Sequence, residues 1–206
     1  MTHLWPHIVA AASTRSGEGN ADGARRRRGR RTRAYWLLAG AVVLGVCPSP
    51  APAAAGVRAP ITALRTLEES ILSRVNAVRS QHGLMPLRLS AGLAAAARHH
   101  STEMARRGYF SHNSAGGQAF DRRIARFYPI GGRRLWSVGE NLLWSSAALS
   151  ATGVLDVWLN SSKHRAIMLR AHWREVGVGA VQVSSAPGVY GGREVTIVTA
   201  DFGVRR

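Results

Sequence analysis

The chain has 206 residues, 46% of them hydrophobic, which suffices for one sizeable domain plus a tail or targeting segment. Its 28 basic residues against 11 acidic ones leave a net charge of +17. The single cysteine, Cys47, falls in an apolar segment ahead of the expected domain, so a mature form without that segment has neither internal disulfides nor thiolate chemistry.

The first 24 residues are small, polar and without a hydrophobic period. A basic run, Arg25 to Arg33, then leads straight into the apolar stretch 34–47, and Pro48 to Gly56 follows with the small residues Ala53-Ala54-Ala55. That order is the order of a secretory signal, with Gly56 as the expected mature start. The apolar stretch is shorter than the roughly 20 residues a membrane-spanning helix needs, which makes a retained anchor the second reading. The expected organisation is an N-terminal extension and signal (1–55), a short linker (56–62) and one domain (63–206). From Gly56 onward 20 basic residues still face 9 acidic ones. Such a charge attracts polyanions at long range, so an anionic envelope polymer or lipid is the expected partner class. Export argues against a specific nucleic-acid partner.

Within the domain, Leu67, Ile71, Val75 and Val78 mark one face of a helix over 67–82, closed by Gly83. Ser90 is placed to cap a second helix running to Arg107, with Leu93, Ala97, His100 and Met104 on its inner stripe and Gly108 at its end. Residues 109–139 read as loop-rich, with a short helix near 119–127. A third helix is expected over 150–159, and one or two further turns over 164–169. The period then changes: Val176 to Val183 and the β-branched run Glu194 to Phe202 predict a hairpin, with turn residues between them. Helices followed by a closing hairpin imply an α+β layered domain.

Six short signatures occur in order: Asn76-Ala77-Val78-Arg79; Tyr109-Phe110-Ser111-His112; Gly139-Glu140-Asn141-Leu142; Trp158 to Leu169, containing Ser161 and His164; Val176-Gly177-Val178-Gly179; and Thr199-Ala200-Asp201-Phe202-Gly203. Together they resemble the bacterial, cysteine-free branch of the CAP superfamily (SCP-like domain), over nearly all of residues 63–204. The resemblance implies a three-layer α-β-α sandwich with a cleft lined by His112, Glu140 and His164. Ser161 stands where many eukaryotic members carry a second glutamate.

Three chemistries are compatible with those residues. Two neutral imidazoles, His112 and His164, could hold Zn²⁺ or another divalent cation, with Glu140 as ligand or base. A metal-free hydrolase would use Glu140 with one or both histidines as acid and base, or Ser161 as nucleophile. Finally, the buried polar groups could simply pair with each other and hold a non-catalytic cleft or interaction module together. Asn76 and Arg79 read as scaffold, His100 as a packed core residue, and Trp136, Trp144, Trp158 and Trp173 as core and cleft wall. Arg122, Arg123, Arg126, Arg133 and Arg134 concentrate positive charge between His112 and Glu140, which would favour an anionic ligand.

Overall fold

The apolar spacing of the first helical segment becomes helix α1 (Arg65–Gln81), which buries Ile71 and Val75. The computed structural model describes residues 8–18 and 59–206. The expected signal segment, with the apolar stretch 34–47 and Cys47, lies outside the described residues. Helix α2 (Ala91–Arg107) starts at Ser90, whose Oγ accepts from Leu93 N at 3.4 Å, and ends at Gly108, whose positive φ of 68° suits glycine. Helices α3 (Phe120–Ala125), α4 (Ala151–Asn160) and α5 (Ser162–Met168) fall close to the predicted positions.

The strands are β1 (Ile8–Glu18), β2 (Ile61–Ala63), β3 (Arg88–Leu89), β4 (Leu135–Ser145), β5 (Glu175–Ala186) and β6 (Arg193–Arg205). They form one sheet in the order β1-β4-β6-β5-β2, and β3 adds in parallel to β5. The predicted hairpin is β5–β6, and its strands are longer than the sequence suggested. Four strands, β1 to β4, depart from expectation, and two of them are long. Residues 135–139, read as the end of a loop, open β4, and the unpatterned N-terminal stretch contributes β1. Both owe their conformation to pairing partners distant in sequence, which local propensity does not register.

Alternation along the strands sorts the core into two faces. On one, Leu143, Val176, Val178, Ala180, Val198, Ala200 and Phe202 pack against α1, α4 and α5 around Trp158 and Trp173. On the other, Val138, Leu142, Trp144, Val181 and Ile197 meet α2 and α3. The result is the three-layer α-β-α sandwich, an α+β fold. Helix α2 lies directly on the sheet because Gly177 and Gly179 have no Cβ; one at Gly177 would come within 2.0 Å of Ala94 N, and one at Gly179 within 2.2 Å of Arg98 N.

Asn76 and Arg79 on α1 are scaffold in a definite sense. The Asn76 amide exchanges two hydrogen bonds with the Leu87 backbone, donating to its carbonyl at 3.0 Å and accepting from its N–H at 2.8 Å. Arg79, fully buried, donates to the carbonyls of Met85, Met168 and Arg170. Each side chain thus satisfies backbone groups of irregular segments that no ladder could serve.

Candidate functional site

Strand β4 is the spine of the site, because its consecutive residues Glu140 and Asn141 point to opposite faces of the sheet. On the α2 face, Glu140 Oε1 lies 2.7 Å from His112 Nδ1. On the α5 face, Asn141 Nδ2 donates to the His164 carbonyl at 3.1 Å. Two adjacent side chains therefore tie both histidine-bearing segments to one strand.

Glu140 is fully buried and its second oxygen, Oε2, accepts from the guanidinium of Arg123 on α3. Arg123, also fully buried, donates in addition to the His112 carbonyl at 2.6 Å, so it holds both partners of the His112–Glu140 pair. Across the β4–β6 pairing Asp201 stands directly opposite Glu140 and is fully buried. One guanidinium can offset only one of two buried carboxylates, and the cheapest way to remove the other charge is to keep a proton on the pair. In keeping with this, burial pushes Glu140 up to about 7, against the opposing pull of Arg123. Asp201 is raised well above the usual range by burial and then by the Glu140 charge.

His112 is one-fifth exposed, and its Nε2 is buried without a hydrogen-bond partner among the described residues. Burial, with the Arg123 charge second, lowers its pKa to about 4. The ring is therefore neutral at pH 7, with the proton on Nδ1 directed to Glu140 and the Nε2 lone pair left for another group. The ring signals of His112 are accordingly expected to titrate near pH 4 in a nitrogen-edited NMR series. A midpoint in the ordinary histidine range near 6.5 would show that the ring is not held neutral this way.

His100 is the core residue expected, fully buried on α2, yet its Nε2 also donates to the Ser111 carbonyl at 2.8 Å. It so anchors the loop one residue before His112. His164, on α5, is nearly buried, and its Nδ1 lies 2.7 Å from Ser161 Oγ. That contact joins residues three apart at the start of one short helix, so Ser161 serves as the local partner of the ring.

The structure thus pairs His112 with Glu140 and His164 with Ser161. Among the described residues no group of three or more His, Cys, Asp or Glu side chains is spaced to hold a metal ion. It also corrects two expectations. Arg123 is no ligand-facing cation: it is a buried counter-charge, whereas Arg122, Arg126, Arg133 and Arg134 are exposed. Glu140, with both oxygens engaged, orients His112 and is not an open ligand or base. Sequence reasoning missed Arg123 and Asp201 as site residues. Asp201 did leave a signal, as one acidic residue inside a run of buried β-branched positions, but Arg123 was hidden among four surface arginines.

The profile of the cysteine-rich secretory protein family (CAP) matches residues 72–202, and the chain belongs to that family. The protein YkwD of Bacillus subtilis (strain 168) is 30% identical over 119 residues, 57% of this chain and 44% of that protein. An extracellular protein containing an SCP domain from Bacillus anthracis str. Ames superposes with a TM-score of 0.50 at 30% identity, covering 69% of this chain and 41% of that one. An outer surface protein of Borrelia burgdorferi shares the fold, with a TM-score of 0.57 at 16% identity over 72% of this chain and 99% of that chain. The chain spans less than half the length of the Bacillus relatives. Among the described residues no helix is long and apolar enough to cross a membrane.

Proposed function

We propose that this is an exported binding protein of the cell envelope or extracellular space whose cleft presents the His112 imidazole to its ligand. The observation that carries the proposal is the His112–Glu140 pair, with Arg123 behind it and Nε2 left without a partner. A carboxylate on Nδ1 is the arrangement that fixes an imidazole for coordination through Nε2. A divalent cation such as Zn²⁺ would be held through His112 Nε2, since the structure pairs His164 with Ser161 rather than with His112, and it would supply a Lewis-acidic contact for an anionic or carbonyl ligand. A single protein nitrogen suits an open, exchangeable site completed by the ligand.

The relatives' description as extracellular and surface proteins supports export, as does the basic–apolar–small order of residues 25–56. The exposed Arg122, on the same short helix as Arg123, with the exposed Arg126, Arg133 and Arg134, suits an anionic polymer or lipid headgroup as the accompanying ligand. Turnover is less well supported. A histidine base works best with a pKa near the working pH, and His112 sits about three units lower.

The test is a calorimetric titration of the full chain with Zn²⁺. Uptake is expected at micromolar metal, abolished by His112→Ala and weakened roughly 10- to 100-fold by Glu140→Gln, which removes the orienting charge. A folded wild-type protein that takes up no metal would rule out the cation. Hydrolytic activity that vanishes in a folded His112→Ala variant would replace binding by catalysis.

A further inference from the structure

Strand β4 has β6 on one side, and on the other, among the described residues, only β1. Ile8–Glu18 pairs with Leu135–Ser145 residue for residue, without a bulge, and places positions 12 and 13 opposite Asn141 and Glu140. Helix α5, which carries His164, lies beside both strands.

Four observations separate β1 from the domain it completes. It lies outside the family match, which begins at residue 72. It makes no hairpin with a neighbour: residues 19–60 separate it from β2, at the opposite end of the strand order. Its sequence, with Ala10-Ala11-Ala12-Ser13 and Ser16-Gly17, is rich in small residues, a composition that leaves recognition of an added strand to the main chain. And the export-signal pattern follows it, so processing after Ala55 would remove it. What remains would be an eleven-residue strand with an open edge, a feature soluble proteins avoid unless it is covered or used.

We propose that the outer edge of β4 is a binding site for an extended polypeptide, which joins the sheet as a strand beside the His112–Glu140 pair, and that Ile8–Glu18 is its intramolecular occupant. The proposal rests on the binding reading of the cleft and names the ligand class: an extended segment recognised through its main chain, with small residues opposite Glu140 and Asn141. The tether keeps the occupant at high effective concentration, so an external peptide gains access once the tether is cut.

The test uses the full chain with one protease recognition sequence inserted between residues 20 and 58, cut after purification. The two fragments are expected to stay together when concentrated and to separate on dilution. Separation should make those β4 amides that face away from β6 exchange roughly tenfold faster or more. A synthetic peptide with the sequence of residues 8–18 should restore their protection, whereas the same peptide carrying Ala11→Pro, which lacks one amide and resists strand pairing, should not.

Loss of the near-ultraviolet circular dichroism on separation would overturn the proposal, because β1 would then be an integral strand. Unchanged β4 exchange after dilution, or failure of the peptide to rebind a folded domain, would overturn it too. Zn²⁺ uptake measured on the same cut material separates the two ideas. Uptake without peptide rebinding defeats this inference alone, and peptide rebinding without uptake defeats only the metal reading.

Discussion

Replacing Arg123 by leucine is expected to lower stability by about 3 to 5 kcal/mol at pH 8, the range for removing one partner of a buried ion pair. The guanidinium is fully buried, donates to Glu140 Oε2, and among the described residues is the permanent positive charge that offsets Glu140 and Asp201. Leucine fills part of the space but leaves two buried carboxyls and an unsatisfied His112 carbonyl. The loss should depend on pH in a definite direction. Both carboxyls have folded pKa values above their unfolded ones, so each stabilises below its unfolded value and loses that contribution as pH rises; for Glu140 the contribution is complete below about 4.5 and is lost as pH rises through about 7. Removing Arg123 raises both further, so the variant suffers most on the alkaline side. At pH 5, below the value of about 7 for Glu140, the deficit should shrink to about 1 to 2 kcal/mol, chiefly the orphaned carbonyl. His112 works in the opposite sense, since its lowered pKa favours folding above pH 6.5 and costs stability as pH falls through about 4. The comparison therefore belongs at pH 5 and 8, by urea denaturation of wild type and variant side by side. An equal deficit at both values would mean that charge is not what Arg123 supplies.

Gly177→Ala is expected to be at least as damaging, by roughly 3 kcal/mol or more, the upper end of what overpacking costs. The new methyl would sit 2.0 Å from Ala94 N and 2.2 Å from Leu93 C. Those are backbone atoms of α2, so no side chain can swing away. The helix must lift from the sheet, loosening the contacts of Leu93 and Met104 and displacing His100, which anchors the loop before His112. A useful control is Gly153→Ala on α4, where the added methyl meets only Ser150 Oγ at 3.6 Å. There the higher helix propensity of alanine should stabilise by about 0.5 to 1 kcal/mol. Thermal unfolding of the two variants checks both signs, and a Gly177→Ala protein as stable as wild type would mean that α2 does not rest on the sheet as described.

Much of the fold was legible because local signals coincide with local structure. The inner stripes of α1 and α2, the caps at Ser90 and Gly108, and the β-branched run of β6 each announce their element within a few residues. The site was legible in part. His112, Glu140, His164 and Ser161 came from ordered motifs, and the structure pairs the first two with each other and the last two with each other. The sequence by itself thus determined the layered α+β class, the family and the identities of the histidines. Only the tertiary structure decided which partner each histidine takes. Ring nitrogens pair with whatever side chain the sheet register and helix packing deliver, and Asp201 meets Glu140 solely because β6 pairs with β4 in one register. Strand β4 itself was obscured because its start, 135–139, read as loop and its polar Glu140 and Asn141 break the apolar pattern until Arg123, His112 and the His164 carbonyl satisfy them. Burying a polar pair is favourable only with its partners in place, and those partners come from segments far apart in the chain.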